Sequence, residues 1–197
     1  MSLHPSFAVR GSRFAVGRCS VLLLMVLSAL PALEVGDHVL ADRVTVGPAE
    51  LAIRGGGTLR WNRLFAIYDA GLWIDAAKPS AGPLDDVPKR LEFRYRRTIS
   101  AADLAKATSS TLGIKLPPAE REALQSRLDR LNALYRDVVE HDSLVFTYLP
   151  GTGTSVMIAG VVVDTIPGAD FAHALFAIWL GPDPVDARFR TALLGTP

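Results

Sequence analysis

The sequence predicts an α+β domain in which helices cover one antiparallel sheet. Three observations lead to this class: strand-like segments come first, two helical segments interrupt them, and a strand hairpin with two further helices follows. Alternating polarity predicts the strands, and apolar residues at helical spacing predict the helices. The chain has 197 residues, of which 49% are hydrophobic and 21% charged, so it can bury one core of ordinary size.

The N-terminal segment has the pattern of a secretory signal peptide. Arg10, Arg13 and Arg18 precede an apolar run over residues 21–33, and the first acidic residue is Glu34. A membrane-spanning helix needs roughly 20 apolar residues, more than this run provides. A buried helix of the domain and an uncleaved membrane anchor are the alternatives to a signal peptide.

We predict signal cleavage after Ala41, because Val39 and Ala41 supply the β-branched and small side chains that suit such a site. Residues 1–41 would then be removed, and residues 42–197 would form a periplasmic or secreted domain without stable membrane insertion. The only cysteine, Cys19, lies in the part removed. The domain would therefore form no disulfide.

The first part of the predicted domain is rich in strand patterns. Residues 42–46 and 51–54 are two short strands, separated by a turn at Gly47-Pro48. We interpret the glycines at 55–57 as a hairpin turn, since the lysine and the helix of a phosphate-binding loop are missing. Both faces are apolar over residues 58–74, which predicts one long central strand covered on each side.

The next segments combine a strand with two helices. Residues 91–97 alternate strictly, as is typical of a strand with one solvated face. Ser100 and Asp103 resemble a capping box, and we expect the helix that they start to end at Gly113. Pro117-Pro118 opens a second, amphipathic helix. The remaining predicted elements are strands at 143–149, 154–159 and 160–165 and helices at 169–180 and 184–194.

Charge and histidine spacing argue against several kinds of partner. The formal net charge is +1, with no basic or acidic run, so we expect no nucleic-acid partner. His141 and His173 lie far apart in the predicted domain and have no metal-ligand spacing, so we predict no metal site. No serine-nucleophile motif or paired carboxylates identify an enzyme, and the sequence indicates no oligomeric state.

Two motifs, taken together, point to a family. One is Gly-x-x-Arg followed by Leu-Phe-x-x-Tyr-x-Ala-x-Leu-Trp, at positions 57–73. The other is Ile-Pro-Gly-Ala-Asp-Phe-x-x-Ala-Leu-x-x-Ile-Trp-Leu-Gly, at positions 166–181. With them the chain resembles the bacterial chalcone isomerase-like family. The resemblance implies an open-faced β-sandwich, in which helices pack on one face of a large antiparallel sheet and a ligand cleft lies between them.

The resemblance also assigns roles to residues at that cleft. In the plant enzymes of the family an arginine holds the substrate, a threonine and a tyrosine polarise its carbonyl group, and no cofactor is used. Arg60 matches the arginine, and Tyr68 stands where the threonine belongs. Leu104 replaces the tyrosine, while Thr111 and Ile178 occupy the positions of an asparagine and a second threonine that hold the phenol. The catalytic candidates are therefore Arg60, Tyr68 and Thr111, with no cofactor.

These replacements predict a binding protein that does not cyclise chalcones efficiently. The missing tyrosine hydroxyl alone removes a transition-state hydrogen bond worth ~3 kcal/mol. We expect a small amphipathic carboxylate, such as a fatty acid, with its head at Arg60 and Tyr68. The other residues predicted to bind it are Phe65, Trp73, Leu104, Phe176 and Ile178.

Other interpretations stay open at this point. The protein would instead be a cofactor-independent isomerase, an intramolecular lyase acting on a phenolic or enone compound, or a non-catalytic structural protein of the cell envelope. Independently of these, each of the two head-group residues has a purely structural interpretation: Arg60 as a surface residue at a strand end, and Tyr68 as a core tyrosine with a bonded hydroxyl group.

Overall fold

The computed structural model describes residue 1, residues 32–62 and residues 64–195 of the chain. Most of the predicted signal peptide, residues 2–31, lies outside the described residues. The strands are β1 (Ala32–Val35), β2 (His38–Ala41), β3 (Arg43–Val46), β4 (Ala49–Trp61), β5 (Phe65–Asp75), β6 (Lys89–Tyr95), β7 (Ser143–Leu149), β8 (Gly153–Ile158) and β9 (Val161–Ile166). The helices are α1 (Ala101–Lys115), α2 (Pro118–Leu134), α3 (Ala169–Leu180) and α4 (Ala187–Leu193).

The predicted α+β class is confirmed. Strands β3 to β9 form one sheet in which sequence order is also spatial order, and all neighbours are antiparallel. Helices α1 and α2 are inserted between β6 and β7, which are themselves hydrogen-bonded neighbours. Both helices cover one face of the sheet, because Leu112 of α1 and Leu128 of α2 are buried in the same core as residues of the sheet.

Strict alternation in β6 separates the two faces of the sheet. Leu91, Phe93 and Tyr95 are buried in the main core with the helices. Arg90 and Glu92 point the other way and form an ion pair of 2.7 Å. Successive side chains of a strand point to opposite faces, so this pattern places the apolar residues under the helices.

Helix α1 begins as predicted and ends later than predicted. The Ser100 side chain accepts a hydrogen bond from the Asp103 backbone N–H, which caps the first turn. The helix continues past Gly113 to Lys115, and the Leu116 N–H still bonds to the Leu112 carbonyl. No heavy atom lies within 4 Å of a Cβ placed on Gly113. Gly113 does not adopt the positive φ of a glycine that ends a helix, so the helix passes through it.

The region of the three glycines differs from the prediction in two ways. Residues 58–74 form two strands, because the chain turns between Trp61 and Phe65. The glycines themselves lie inside β4 and form no turn. A Cβ on Gly57 would lie 2.7 Å from Ala192 Cβ of α4, and one on Gly56 would lie 2.7 Å from Val35 Cγ2 of β1. They are glycines because segments pack closely on both faces of this strand.

Strands β1 and β2 form a hairpin on the face opposite the helices. Val35 and Leu40 of the hairpin pack with Leu51 and Trp73 in a second, smaller core. The Trp73 indole N–H donates to the Ala41 carbonyl at 2.8 Å. This hairpin belongs to the segment predicted to be removed with the signal peptide, and the cleavage site stays a prediction.

Candidate functional site

A cavity of about 320 Å³ lies between the sheet and the helices, where the resemblance implied a cleft. Strands β4 to β7 form its floor, α1 and α3 form its roof, and the start of the segment after α2 closes one side. It is lined by Leu59, Ile67, Tyr68, Phe93, Tyr95, Ile99, Asp103, Leu104, Ala107, Thr108, Thr111, Tyr135, Leu144, Phe146, Ile178, Trp179 and Val185. Because most of these side chains are apolar, the cavity suits an apolar molecule.

Aromatic rings in edge contact fix the wall of the cavity. Tyr68 meets Phe93 at 5.0 Å between ring centroids, Tyr95 at 5.8 Å and Phe189 at 5.7 Å, with interplanar angles of 81°, 82° and 68°. Trp179 of α3 lies 4.8 Å from Phe93 of the sheet. Such edge contacts stabilise a defined ring arrangement, so the wall is held in shape without a ligand.

The Tyr68 hydroxyl accepts a hydrogen bond but donates none to the described residues. The Trp179 indole N–H donates to the Tyr68 oxygen at 2.9 Å. An indole nitrogen only donates, so Tyr68 is the acceptor in this bond. Among the described residues no acceptor receives the Tyr68 hydrogen in return. Burial raises the pKa of Tyr68 well above its usual range, which keeps this phenol protonated as a donor.

Tyr95 offers a second phenol to the cavity. Its side chain is only 3% exposed, yet its hydroxyl group forms no hydrogen bond to the described part of the chain. Burial also raises the pKa of Tyr95. Tyr95 lines the cavity, so its hydroxyl group is available to donate a hydrogen bond to a ligand there. Tyr95 and Tyr68 therefore present neighbouring donors to the same cavity.

The hydroxyl groups of the opposite wall bond to main-chain carbonyl groups of α1 or to one another. Thr108 donates to the Leu104 carbonyl at 3.0 Å, and its oxygen lies 3.0 Å from the Tyr135 hydroxyl. Thr111 donates to the Ala107 carbonyl at 2.8 Å. Burial raises the pKa of Tyr135 to about 12. These hydroxyl groups retain lone pairs for a ligand, but their hydrogens are already engaged.

Among the described residues, the cavity wall includes one charged side chain and no lysine or arginine. That residue is Asp103, which is exposed in the first turn of α1 and accepts a hydrogen bond from the Ser100 hydroxyl at 2.7 Å. A fully buried carboxylate on a ligand would find no cation here. Apart from Asp103, the polar side chains of the lining are neutral hydroxyl and indole groups.

The structure brings together four of the residues that the sequence singled out. Tyr68 of β5, Leu104 and Thr111 of α1 and Ile178 of α3 all line the cavity. They come from three elements that are distant in sequence, so their meeting was implied only by the resemblance. Their roles in binding or catalysis stay predictions.

Four other singled-out positions lie elsewhere. Arg60 is exposed at the end of β4, beyond an irregularity in strand pairing after Leu59, and borders two surface grooves. Phe65 is exposed at the start of β5. Trp73 is buried under the hairpin on the opposite face. Phe176 is buried in the main core, where its ring centroid lies 5.7 Å from the Lys89 ammonium nitrogen.

Sequence reasoning missed several polar residues of the cavity. Tyr95 shares a strand face with Leu91 and Phe93, which was a usable signal for a buried phenol. Tyr135 ends the apolar stripe of α2, and Trp179 follows Ile178 in the second motif. Thr108 gave no signal, because a threonine within a helix is usually unremarkable.

Two searches of the described residues concern other kinds of site. No group of three or more histidine, cysteine, aspartate or glutamate residues in this part of the chain could hold a metal ion. Likewise, no helix formed by the described residues has both the length and the apolar character needed to cross a membrane.

Comparison with known proteins identifies the family. No curated protein matches the chain. The crystal structure of a fatty-acid binding protein of Arabidopsis thaliana superposes with a TM-score of 0.64 at 13% identity, covering 81% of this chain and 92% of that one. At this identity the likeness shows the fold alone. A sequence profile described as chalcone isomerase-like matches residues 32–195, and the chain therefore belongs to the chalcone isomerase-like family.

Proposed function

We propose that the protein binds a small amphipathic ligand, such as a fatty acid, with the apolar part of the ligand inside the cavity. The observation that carries this proposal is the largely apolar cavity of about 320 Å³ with the unpaired Tyr95 hydroxyl in its wall. The likeness to a plant fatty-acid binding protein supports it at the level of the fold.

The cavity favours a neutral head group. Tyr68 and Tyr95 donate hydrogen bonds, whereas Arg60 lies outside the cavity. Burying a carboxylate without a cation is costly, and a buried carboxyl group therefore takes up a proton. The proposed ligand is thus a protonated acid, or a ketone, ester or phenol of similar shape. A fatty acid should bind more tightly as the pH falls, and its methyl ester should bind at every pH.

A variant at the mouth of the cavity tests this proposal. Ala107 lines the cavity and is exposed, so Ala107→Trp places an indole in the entrance. Ala102→Trp is the matched control, because Ala102 is exposed on the same helix and does not line the cavity. Displacement of a fluorescent fatty acid should show at least about tenfold weaker binding for Ala107→Trp and wild-type binding for the control. Equal affinity in the two variants would contradict the proposal.

Cofactor-independent isomerisation is the second candidate, and the two neighbouring phenols favour it. Donors from Tyr68 and Tyr95 to one carbonyl oxygen would polarise an enone. Incubation with a chalcone should then remove its enone absorbance faster than buffer does, and Tyr95→Phe should slow this reaction. A rate equal to that of buffer would exclude this substrate class. The third alternative, an envelope protein whose pocket is filled by side chains, is disfavoured by the open cavity.

We also propose that the protein is a bacterial one and is exported to the periplasm or secreted. The support is the arginine-flanked apolar run over residues 21–33. Cleavage after Ala41 would remove Val35 and Leu40, which cover Trp73 in the structure. Cell fractionation tests export, and retention of the protein in the cytoplasm would contradict it. N-terminal sequencing of the exported protein tests the cleavage site, and a start at residue 42 supports it.

A further inference from the structure

We propose that the turn between β4 and β5 docks on a membrane surface that carries anionic lipid headgroups. We call this turn the aromatic tip and define it by Arg60, Trp61, Leu64 and Phe65. The inference goes beyond ligand binding and is independent of it, because vesicle binding is measured without any ligand of the cavity.

Large apolar side chains are exposed together at the aromatic tip. Trp61 is 60% exposed, Leu64 74% and Phe65 54%. The rings of Trp61 and Phe65 lie side by side, with centroids 6.1 Å apart. Single exposed apolar residues are common on proteins, but a contiguous group marks a surface that contacts another apolar phase.

The backbone holds this group at the end of two long strands. Trp61 and Phe65 form the last residue pair of the β4–β5 ladder. The Leu64 N–H donates to the Trp61 carbonyl at 3.1 Å, and Asn62 adopts a positive φ of 48° within the turn. The described residues on both sides of the turn are therefore held by main-chain hydrogen bonds.

The exposed arginines beside the aromatic tip favour a partner with negative charge. Arg60 and Arg97 are exposed beside the tip, and neither forms an ion pair with another described residue. Arg96 is already bonded to Asp69 at 3.0 Å, and Glu140 is the one acidic residue lining the same groove. Unpaired guanidinium groups around an apolar tip complement anionic headgroups. A second copy of the tip is disfavoured, because it would bring like charges together.

The composition and position of the tip also suit a membrane interface. Tryptophan prefers the headgroup region of a bilayer, and leucine and phenylalanine prefer the adjacent acyl chains. Leu59 and Ile67, which line the cavity, lie close to the tip on the same two strands. Docking at the tip would therefore place this end of the cavity next to the bilayer.

Co-sedimentation with vesicles tests the proposal. The full chain, as the cell matures it, is compared on vesicles of phosphatidylcholine alone and of phosphatidylcholine with phosphatidylglycerol in equal amounts. We expect preference for the mixed vesicles. Leu64→Ser with Phe65→Ser should lower partitioning by at least about tenfold. Arg60→Gln should lower it about fivefold on mixed vesicles and leave it unchanged on phosphatidylcholine.

A matched control uses apolar residues that are exposed elsewhere. Val161 and Val162 of β9 are 57% and 54% exposed at the far edge of the sheet. Val161→Ser with Val162→Ser should leave partitioning at the wild-type level. Since all these positions are exposed, circular dichroism should show the same fold in every variant. Any contribution of the N-terminal segment is constant across the series.

Tryptophan fluorescence identifies which surface enters the bilayer. Trp61 is exposed, whereas Trp73 is fully buried and Trp179 is partly buried. Mixed vesicles should shift wild-type emission to shorter wavelength, and Trp61→Phe should abolish this shift. Lack of vesicle binding, equal binding by the tip and control variants, or tip-dependent self-association without lipid would overturn the proposal.

Discussion

At the scale of single residues, the main polar feature of the cavity is the Tyr95 hydroxyl, which has no hydrogen-bond partner among the described residues. Tyr95 is held in place by the apolar face of β6 and by ring contact with Tyr68, so its position does not depend on its hydroxyl group. Because the Tyr95 hydroxyl contributes no hydrogen bond within the described structure and lines the cavity, it is available to a ligand.

Tyr95→Phe should separate binding from stability. We expect its free energy of unfolding to equal that of wild type or to rise by up to ~1 kcal/mol, because no hydrogen bond is lost. Ligand affinity should fall about tenfold, as one hydrogen bond to the head group disappears. Urea denaturation and ligand titration measure the two effects.

Tyr135→Phe is the comparison for this experiment. It removes the contact with Thr108 and should destabilise the protein by ~1 kcal/mol. If Tyr95→Phe destabilises the protein equally, then the Tyr95 hydroxyl is bonded in the folded protein and the assignment fails.

Lys89 is a second residue whose burial has a measurable consequence. It is almost fully buried, donates to the Asp85 carbonyl at 2.5 Å and lies over the rings of Tyr148 and Phe176. Burial lowers the pKa of Lys89 to about 8, although Asp85 and Asp86 nearby act in the opposite direction. The folded protein therefore releases this proton at a lower pH than the unfolded chain does.

Stability should rise as the pH increases from 8 to 9, because the unfolded chain then binds more protons at Lys89 than the folded protein does. Closer to pH 10 the buried tyrosines, whose pKa values burial raises, act in the opposite direction. Lys89→Met should remove this rise and increase stability at neutral pH by up to roughly 3 kcal/mol. Lys106→Met, at an exposed position of α1, should do neither. Thermal unfolding across this pH range is the measurement, and a falling wild-type stability over the same range would count against the assignment.

The position of a residue could be predicted from sequence where one face of an element decides it. Tyr68 and Ile178 line the cavity, while Arg60 does not. The expectation for Arg60 depended on strand register, and the irregular pairing after Leu59 is not visible in the sequence. Trp73 lies away from the cavity for a related reason: both faces of β5 are apolar, so periodicity alone could not tell which face meets the helices.

At the scale of elements, α1 is the part of the roof with the fewest buried residues. Only Thr108 and Leu112 of this helix are fully buried. Its first turn depends on the Ser100 cap, and the Ala101 N–H is bonded by the Asp137 carboxylate at 2.9 Å. Local contacts at its start therefore contribute a large share of its stability.

Ser100→Ala should reduce stability by ~1 kcal/mol through loss of the cap. Ser110→Ala is the same substitution at an exposed position inside the helix, where alanine is the better helix former and stability should not fall. Urea denaturation of the pair isolates the cap from the change of side chain. Equal effects in both variants would show that Ser100 does not cap α1 in solution.

Element boundaries were predictable where a local signal has a single meaning. The Ser100 cap and the proline opening of α2 are examples, and both are confirmed. Gly113 and the glycines at 55–57 were interpreted wrongly as ends of elements. The glycines at 55–57 allow close packing of other segments, a reason that depends on tertiary contacts that no local pattern reveals. Gly113 lacks the positive φ of a glycine that ends a helix, and the sequence does not show its backbone conformation.

At the scale of the whole molecule, α2 is fixed from outside by two arginine–carboxylate pairs. Arg127 bonds to Asp170 of α3 through two contacts of 2.6 Å, and Arg130 bonds to Asp164 of β9 in the same way. The Arg127 pair lowers the pKa of Asp170 to about 2, so it persists until the pH falls from about 4 towards 2. Helix α1 has no comparable pair to the sheet in the described structure.

Hydrogen exchange should therefore be faster in α1 than in α2. Leu124, Leu128 and Leu131 anchor α2 in the core in addition to its ion pairs, whereas α1 has fewer buried contacts. Ligand binding should slow exchange in α1 selectively, because α1 roofs the cavity. Mass spectrometry of peptides from each helix gives the rates. Faster exchange in α2 would mean that the cavity opens at the other side.

The glycines of β4 lie between the N-terminal hairpin of β1 and β2 and the C-terminal helix α4. Gly56 faces the N-terminal hairpin, and Gly57 faces the C-terminal helix α4. With no side chains in between, only the thickness of one main chain separates these layers. A displacement of the hairpin or of α4 should therefore shift β4 and reach the other layer. Deleting either the hairpin or α4 should destabilise the packing of the one that remains.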